Sequence, residues 1–166
     1  VIVASTGVIG QPLDITPIRN GIPQLVAGLG KNSKEAAEGI MTTDTRLKEI
    51  AVEFEISGKK ITLGGMSKGS GMIHPNMCTM LGFLTTDLNI EKGLLQEAVS
   101  DVVKDTFNMI TVDGDTSTND TLVIMANGLA ENNKITEKND DYALFKKALR
   151  FVCEFLAKKM AGDGEG

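Results

Sequence analysis

Tryptophan is absent from these 166 residues, tyrosine and histidine occur once each, and cysteine occurs only twice. Cys78 and Cys153 are too few for a disulfide framework and lack the spacing of a zinc site, so a reducing cytoplasm is the expected setting. An excess of positive charge is missing as well. The 17 Lys and Arg face 22 Asp and Glu, a net charge of -5, and a surface without clustered cations does not track phosphates. Small molecules or proteins, rather than nucleic acid, are the expected partners. No apolar run approaches the ~20 residues that span a bilayer, and no basic segment leads into an apolar one as in a signal peptide. What is present is 42% hydrophobic residues, enough to fill one core at this length. The opening VIVASTGVIG and the closing AGDGEG resemble neither a natural start nor a natural end. The reading is therefore one domain over residues 1–166, excerpted from a longer protein.

Hydrophobic periodicity predicts interleaved strands and helices. Ile2 to Ser5, apolar and β-branched, reads as a strand that ends in the Thr6-Gly7 turn. Ile22 to Leu29 is ambiguous. Asn32 with Glu35 three residues on resembles a capping box, and Ala36, Ala37, Ile40 and Met41 continue a short helix. The alternation of AVEFEI, then Ser57-Gly58, then KKITLGG predicts a hairpin with Val52, Phe54 and Ile56 on one face. GFLTTDL, Met109 to Val112 and Thr121 to Met125 are strand candidates. Glu91 to Phe107 and Tyr142 to Met160 carry apolar stripes at helical spacing. Packed sheet and helix layers, an α/β domain, are the consequence.

Several motifs fail on spacing. Gly30-Lys31 needs a further glycine at position 25 to make a phosphate loop, where Leu25 stands, and the glycines before Lys68 are also misplaced. Asp113, Asp115 and Asp120 suggest a calcium loop, but Thr118 and Ile124 occupy the positions that demand glycine and a bidentate glutamate. A polar inter-strand turn is the better reading of that run. His74 and Cys78 stand four apart, as a thiol and its base would on a helix, but Pro75 lies between them. The eight methionines, among them Met66, Met72, Met77 and Met80, are read as adaptable core filler.

Thr79 makes a separate chemical case. It follows a small residue, Cys78, between a glycine-rich turn and an apolar strand. Threonine is a weak nucleophile unless a base is held beside it, and an N-terminal amine is such a base. Cleavage of the bond between Cys78 and Thr79 would free an α-amine with a reference pKa of about 7.7–8.0, able to take the hydroxyl proton near neutral pH.

The segments VIVASTGVIG, AEGIMTTDT, GGMSKGSGMIHPNMCTMLGFLTTD and ITVDGDTSTNDT, in this order, resemble the ornithine acetyltransferase family, the bifunctional glutamate N-acetyltransferases of arginine biosynthesis. The resemblance runs through nearly the whole chain and implies autocatalytic cleavage between Cys78, where the family usually has alanine, and Thr79. Residues 1–78 would end an α chain and residues 79–166 begin a β chain, commonly assembled as α2β2. It further implies an oxyanion hole at Thr6 and Gly7, and substrate contacts at Thr42 or the adjacent Thr43, at Lys68, at Thr79 and at Glu165. The implied fold is a layered αββα sandwich resembling N-terminal nucleophile enzymes, with different connectivity. The implied reaction moves an acetyl group from N-acetylornithine through acetyl-Thr79 to glutamate, releasing ornithine. It needs no metal or organic cofactor, although some relatives accept acetyl-CoA as donor. A self-processing aminopeptidase or amidase with the same nucleophile, and a noncatalytic binding domain, are the alternatives from other classes.

Overall fold

The alternation of residues 49–68 resolves into a two-stranded hairpin at the centre of the chain. The structure is a computed structural model that describes residues 2–8, 10–30, 32–71, 80–114 and 117–164. In chain order the elements are α1 (Thr16–Ala27), α2 (Ser33–Gly39), β1 (Glu49–Ile56), β2 (Lys59–Lys68), β3 (Leu81–Thr86), α3 (Lys92–Lys104), a 3-10 turn (Phe107–Met109), β4 (Thr121–Ala126) and α4 (Asp140–Ala161).

Ser57 and Gly58 both have positive φ, 50° and 75°, which matches the right-handed twist of the flanking strands and sets the register of the hairpin. Val52 therefore faces Leu63 and Phe54 faces Ile61 across the antiparallel pair. β2 pairs antiparallel with β3, and β3 pairs parallel with β4, giving a four-stranded sheet of order β1-β2-β3-β4. A parallel pair requires a crossover, and α3 lies in that connection.

α4 covers one face of the sheet. Asn139 caps it by accepting the Tyr142 amide at 3.0 Å, acidic Asp140 and Asp141 occupy its first turn, and Lys158 and Lys159 its last, each complementing the helix dipole. Phe145, Leu149, Val152, Leu156 and Met160 recur at helical spacing and are fully buried against Ile56, Ile61, Leu63 and Leu84. α3 adds Ala98, Val99, Val102 and Val103 to the same core. The opposite face carries Ala51, Gly64, Met66, Phe83 and Thr85, which line a groove of about 490 Å3. The α/β class holds, and the described residues supply one helical layer and one sheet of the implied sandwich.

Three local expectations are corrected. Ile2 to Ser5 forms no strand, and Ile2 and Val3 are exposed, because β-branched propensity is expressed only where a ladder partner is available. Met109 closes the 3-10 turn, and the following residues also join no ladder; Val112 instead packs by Gly164 beyond α4. Asn32 precedes α2 but does not cap it with its side chain, whose Nδ2 donates to the Gly28 carbonyl. The ambiguous stretch from Ile22 resolves as the end of α1, which opens on Pro17 in its first turn.

Gly65 is where the helix meets the sheet most closely. A Cβ there would collide with Leu84 Cδ2 and stand 3.1 Å from Leu156 Cδ1. Overpacking costs about 1–3 kcal/mol, against at most ~1 kcal/mol of strand propensity regained. Gly65→Val is thus expected to lower the urea midpoint, whereas Thr85→Val, on the exposed opposite face, should leave it within error.

Candidate active site

Alternation along β1 puts Ile50, Val52, Phe54 and Ile56 on the helix-covered face, and the same parity carries back to Lys48. The ladder extends with it, since Ser67 N donates to Lys48 O at 2.9 Å. Lys48 is 1% exposed, so its ammonium must be paired within the protein. Its Nζ donates to Asp44 Oδ1 at 2.7 Å, to Asp163 Oδ2 at 2.5 Å and to Arg46 O at 3.3 Å. Asp163 lies just past α4, and it also accepts Thr45 Oγ1 and the amides of Thr45 and Arg46 at 3.0 and 3.3 Å.

Asp44 hands this network on to the end of β2. Its Oδ1 accepts the Gly69 amide at 2.6 Å, its Oδ2 accepts the Thr42 amide at 3.3 Å, and Lys68 Nζ stands 3.8 Å from Oδ2. Lys68, buried on the sheet's other face, donates to Thr42 Oγ1 at 2.7 Å. The structure therefore brings Thr42 and Lys68 together. Neighbouring Thr43 turns instead to Ser70, with hydroxyl oxygens 2.7 Å apart. Burial pushes the Asp44 and Asp163 carboxyls up, but the donors around them outweigh it. Gly69, Lys48 and Thr42 hold Asp44 below the usual carboxylate range, and Lys48 with Thr45 brings Asp163 to about 2.

A second group forms around the Thr6-Gly7 turn. Ser5 to Val8 and Gly10 to Leu13 line a cleft of about 330 Å3 whose other wall is Thr118 and Asn119. The next residue, Asp120, accepts the Met80 amide on Oδ1 at 2.7 Å, and Thr121 N donates to Met80 O at 3.1 Å. The 117–121 run thus grips the residue that follows Thr79 in the chain. Burial pushes the Asp120 carboxyl up to about 6 against the opposing pull of the Met80 amide. Thr79, Cys78, His74, Pro75, Asp115 and Glu165 lie outside the described residues, so the nucleophile, the thiol and imidazole pair, and the last substrate contact are not placed.

The remaining motifs become structural. Gly64 and Gly65 are interior to β2 rather than in a loop. Cys153 sits in the core, where burial pushes its thiol up to about 12 and leaves it a hydrophobe. Among the described residues no cluster of His, Cys, Asp and Glu is placed to hold a metal ion. Asp44, Lys48 and Asp163 escaped sequence reasoning, although the parity of Lys48 with the buried face of β1 was a usable signal. Asp120 was noticed there only as part of an acidic run.

The triad makes a pH prediction. Both carboxylates have folded-state pKa values below their unfolded ones, so their stabilisation is complete above about pH 4 and is lost as pH falls toward 2. Lys48→Met strands two buried carboxylates and should cost about 3–5 kcal/mol at pH 7. Urea midpoints measured from pH 7 to pH 2 should fall steeply in the parent below pH 4 and more shallowly in the variant.

Comparison with known proteins places these observations. A family model described as the ArgJ family matches residues 1–166. The chain is 54% identical over 166 residues to proteins named "Arginine biosynthesis bifunctional protein ArgJ" from Bacillus subtilis (strain 168) and Lactococcus lactis subsp. lactis (strain IL1403), covering the whole of this chain. It spans 41% and 42% of the length of those two relatives. A crystal structure of the protein of that name from Bacillus halodurans is 58% identical over 49% of this chain and 38% of its own, with a TM-score of 0.47.

Proposed function

Since the chain belongs to the ArgJ family, we propose that it is the central part of a glutamate N-acetyltransferase that takes acetyl groups from N-acetylornithine. The single observation that carries this reading is the buried contact of Lys68 Nζ with Thr42 Oγ1, 2.7 Å, in the sheet row shared with Leu81. Lys68 is a compact cation suited to the α-carboxylate shared by N-acetylornithine and glutamate, and Thr42 fixes the direction of its ammonium.

Cleavage between Cys78 and Thr79 gives the threonine its own α-amine as general base. Thr79 Oγ attacks the acetyl carbonyl, and its proton passes to that amine. The Thr6 hydroxyl and the Gly7 amide, from residues that line the cleft, stabilise the tetrahedral oxyanion. Collapse breaks the C–N bond, the amine returns the proton to the leaving nitrogen, and ornithine departs. The glutamate α-amine then attacks the Thr79 ester and carries the acetyl away, and the proton it loses passes through the Thr79 α-amine to Oγ, restoring the free hydroxyl. Glu165 receives the side-chain ammonium of the ornithine moiety while the donor is bound. This chemistry draws on no metal or organic cofactor; acetyl-CoA would enter only as another donor. The α and β chains of one cytoplasmic precursor, paired as α2β2, are the assembly this reading implies. Among the described residues no helix is long and apolar enough to cross a membrane. An aminopeptidase would release the acyl group to water, and the relatives' names, drawn from arginine biosynthesis, favour transfer.

Mass spectrometry of the full-length protein should find a β chain beginning at Thr79, lost in Thr79→Ala together with transfer activity. Double-reciprocal plots against N-acetylornithine at several glutamate concentrations should be parallel; intersecting lines with no acetylated Thr79 would refute the exchange mechanism.

Two substitutions separate binding from chemistry. Lys68→Met removes a charge-assisted contact worth about 1.5–3 kcal/mol and should raise KM about 10- to 100-fold with a smaller change in kcat. Thr6→Val should instead lower kcat about 100- to 1,000-fold with KM little changed.

A further inference from the structure

Lysine carries its charge on a flexible four-carbon stem, so a lysine that recognises a carboxylate at a fixed point needs its neighbours to aim it. Lys68 ends β2 and donates to Thr42 Oγ1. One carboxylate holds both members of that pair through their backbones. Asp44 Oδ2 accepts the amide of Thr42 itself at 3.3 Å, and Oδ1 accepts at 2.6 Å the amide of Gly69, which follows Lys68 directly. Gly69 takes φ of 148°, a region that favours glycine, so this turn of the chain is built into the sequence. Lys68 Nζ stands 3.8 Å from Asp44 Oδ2, near enough for Coulombic attraction and too far for a hydrogen bond. Thr42, Asp44 and Lys68 thus close a ring in which the carboxylate fixes the base of each arm and attracts the charge at the tip.

Asp44 is in turn placed from behind. Its side chain is fully buried, and Lys48 Nζ donates to Oδ1 at 2.7 Å while also donating at 2.5 Å to Asp163, just past α4. The four groups balance, two carboxylates against two ammoniums, so an arriving carboxylate meets no net repulsion from them. We propose that Asp44 is a positioning residue for substrate recognition, aiming the Lys68 ammonium at the α-carboxylate of the acetyl donor, with Lys48 and Asp163 holding Asp44 in register with the sheet. This rests on the reading of Lys68 as the carboxylate site. Asp44 acts through Thr42, Gly69 and the field at Lys68 rather than by touching the substrate. The consequence is selective: a donor that has the carboxylate depends on Asp44, and a donor that lacks it does not.

The test compares kcat/KM of the full-length protein for N-acetylornithine and for N-acetylputrescine, the same donor without its carboxylate, at saturating glutamate. A more reactive donor that also lacks the carboxylate, p-nitrophenyl acetate, serves as a second control. The parent is expected to favour N-acetylornithine over N-acetylputrescine by about 10- to 100-fold, the scale of a charge-assisted contact. Asp44→Asn, which keeps an acceptor in place without the charge, is expected to lose about 5- to 20-fold on N-acetylornithine, mostly in KM, and to stay within about twofold of the parent on the carboxylate-free donors. Since that variant leaves buried Lys48 short of one anion, Asp44→Asn combined with Lys48→Met removes the pair together and should show the same one-sided loss. A parent that does not distinguish N-acetylornithine from N-acetylputrescine would overturn the reading of Lys68, and this inference with it. A parent that distinguishes them, with Asp44→Asn retaining the preference within about twofold, would overturn the role of Asp44 alone. Loss on all donors alike in the single and double variants, with lowered melting temperatures, would make Asp44 a structural residue and overturn that role as well.

Discussion

The ammonium of Lys48, buried between Asp44 and Asp163, is the interaction on which the arrangement of this end of the molecule depends. It ties the loop after α2 to the start of β1 and to the turn that ends α4, with Lys48 and Asp163 standing 115 positions apart. Buried ion pairs add little net stability compared with apolar packing, but they are strict about geometry, because a displaced partner leaves a charge unsolvated. Asp44 passes that strictness to the end of β2 through the Gly69 amide, and Thr42 passes it to Lys68.

Strand direction explains why the remaining groups gather here. β2 runs antiparallel to β3, so the end of one lies beside the start of the other, and β4 runs parallel to β3, so both begin at the same edge. The register places Lys68, Leu81 and Thr121 in a single row across the sheet. β1 begins at this edge as well, opposite Met66. The residues at this margin, Lys48, Lys68 and Gly69, Met80, Asp120, are those that carry the polar contacts described above. The helix-covered core lies further along the same strands, so the rigid part of the fold directly supports the polar edge.

The core was legible in the sequence where its pattern is local. Val52, Phe54 and Ile56 alternate, Ser57-Gly58 supplies the turn, and the stripes of α3 and α4 repeat at helical spacing, so each element announces itself within its own span. Ile2 to Ser5 and Met109 to Val112 misled because a strand needs a neighbour, and no window of a few residues records whether one exists. Thr42 and Lys68 came from family resemblance, and the structure brings them into contact. Asp163 was invisible for a similar reason to the false strands: its partners are Thr45, Arg46 and Lys48, at the far end of the chain. Asp120 was read as part of a polar turn, yet it satisfies a backbone group on another strand.

Two carboxylates at this edge are shifted in opposite directions by their surroundings. Asp44 collects an ammonium and two backbone amides at hydrogen-bond distance, and these outweigh its burial. Asp120 has one amide, and burial prevails. Asp44 is therefore already committed as an anion, and at 3.8 Å from Lys68 its pull is Coulombic rather than hydrogen-bonded, leaving Thr42 to set the direction of that side chain. Asp120 is the carboxylate whose charge state still responds to a new neighbour.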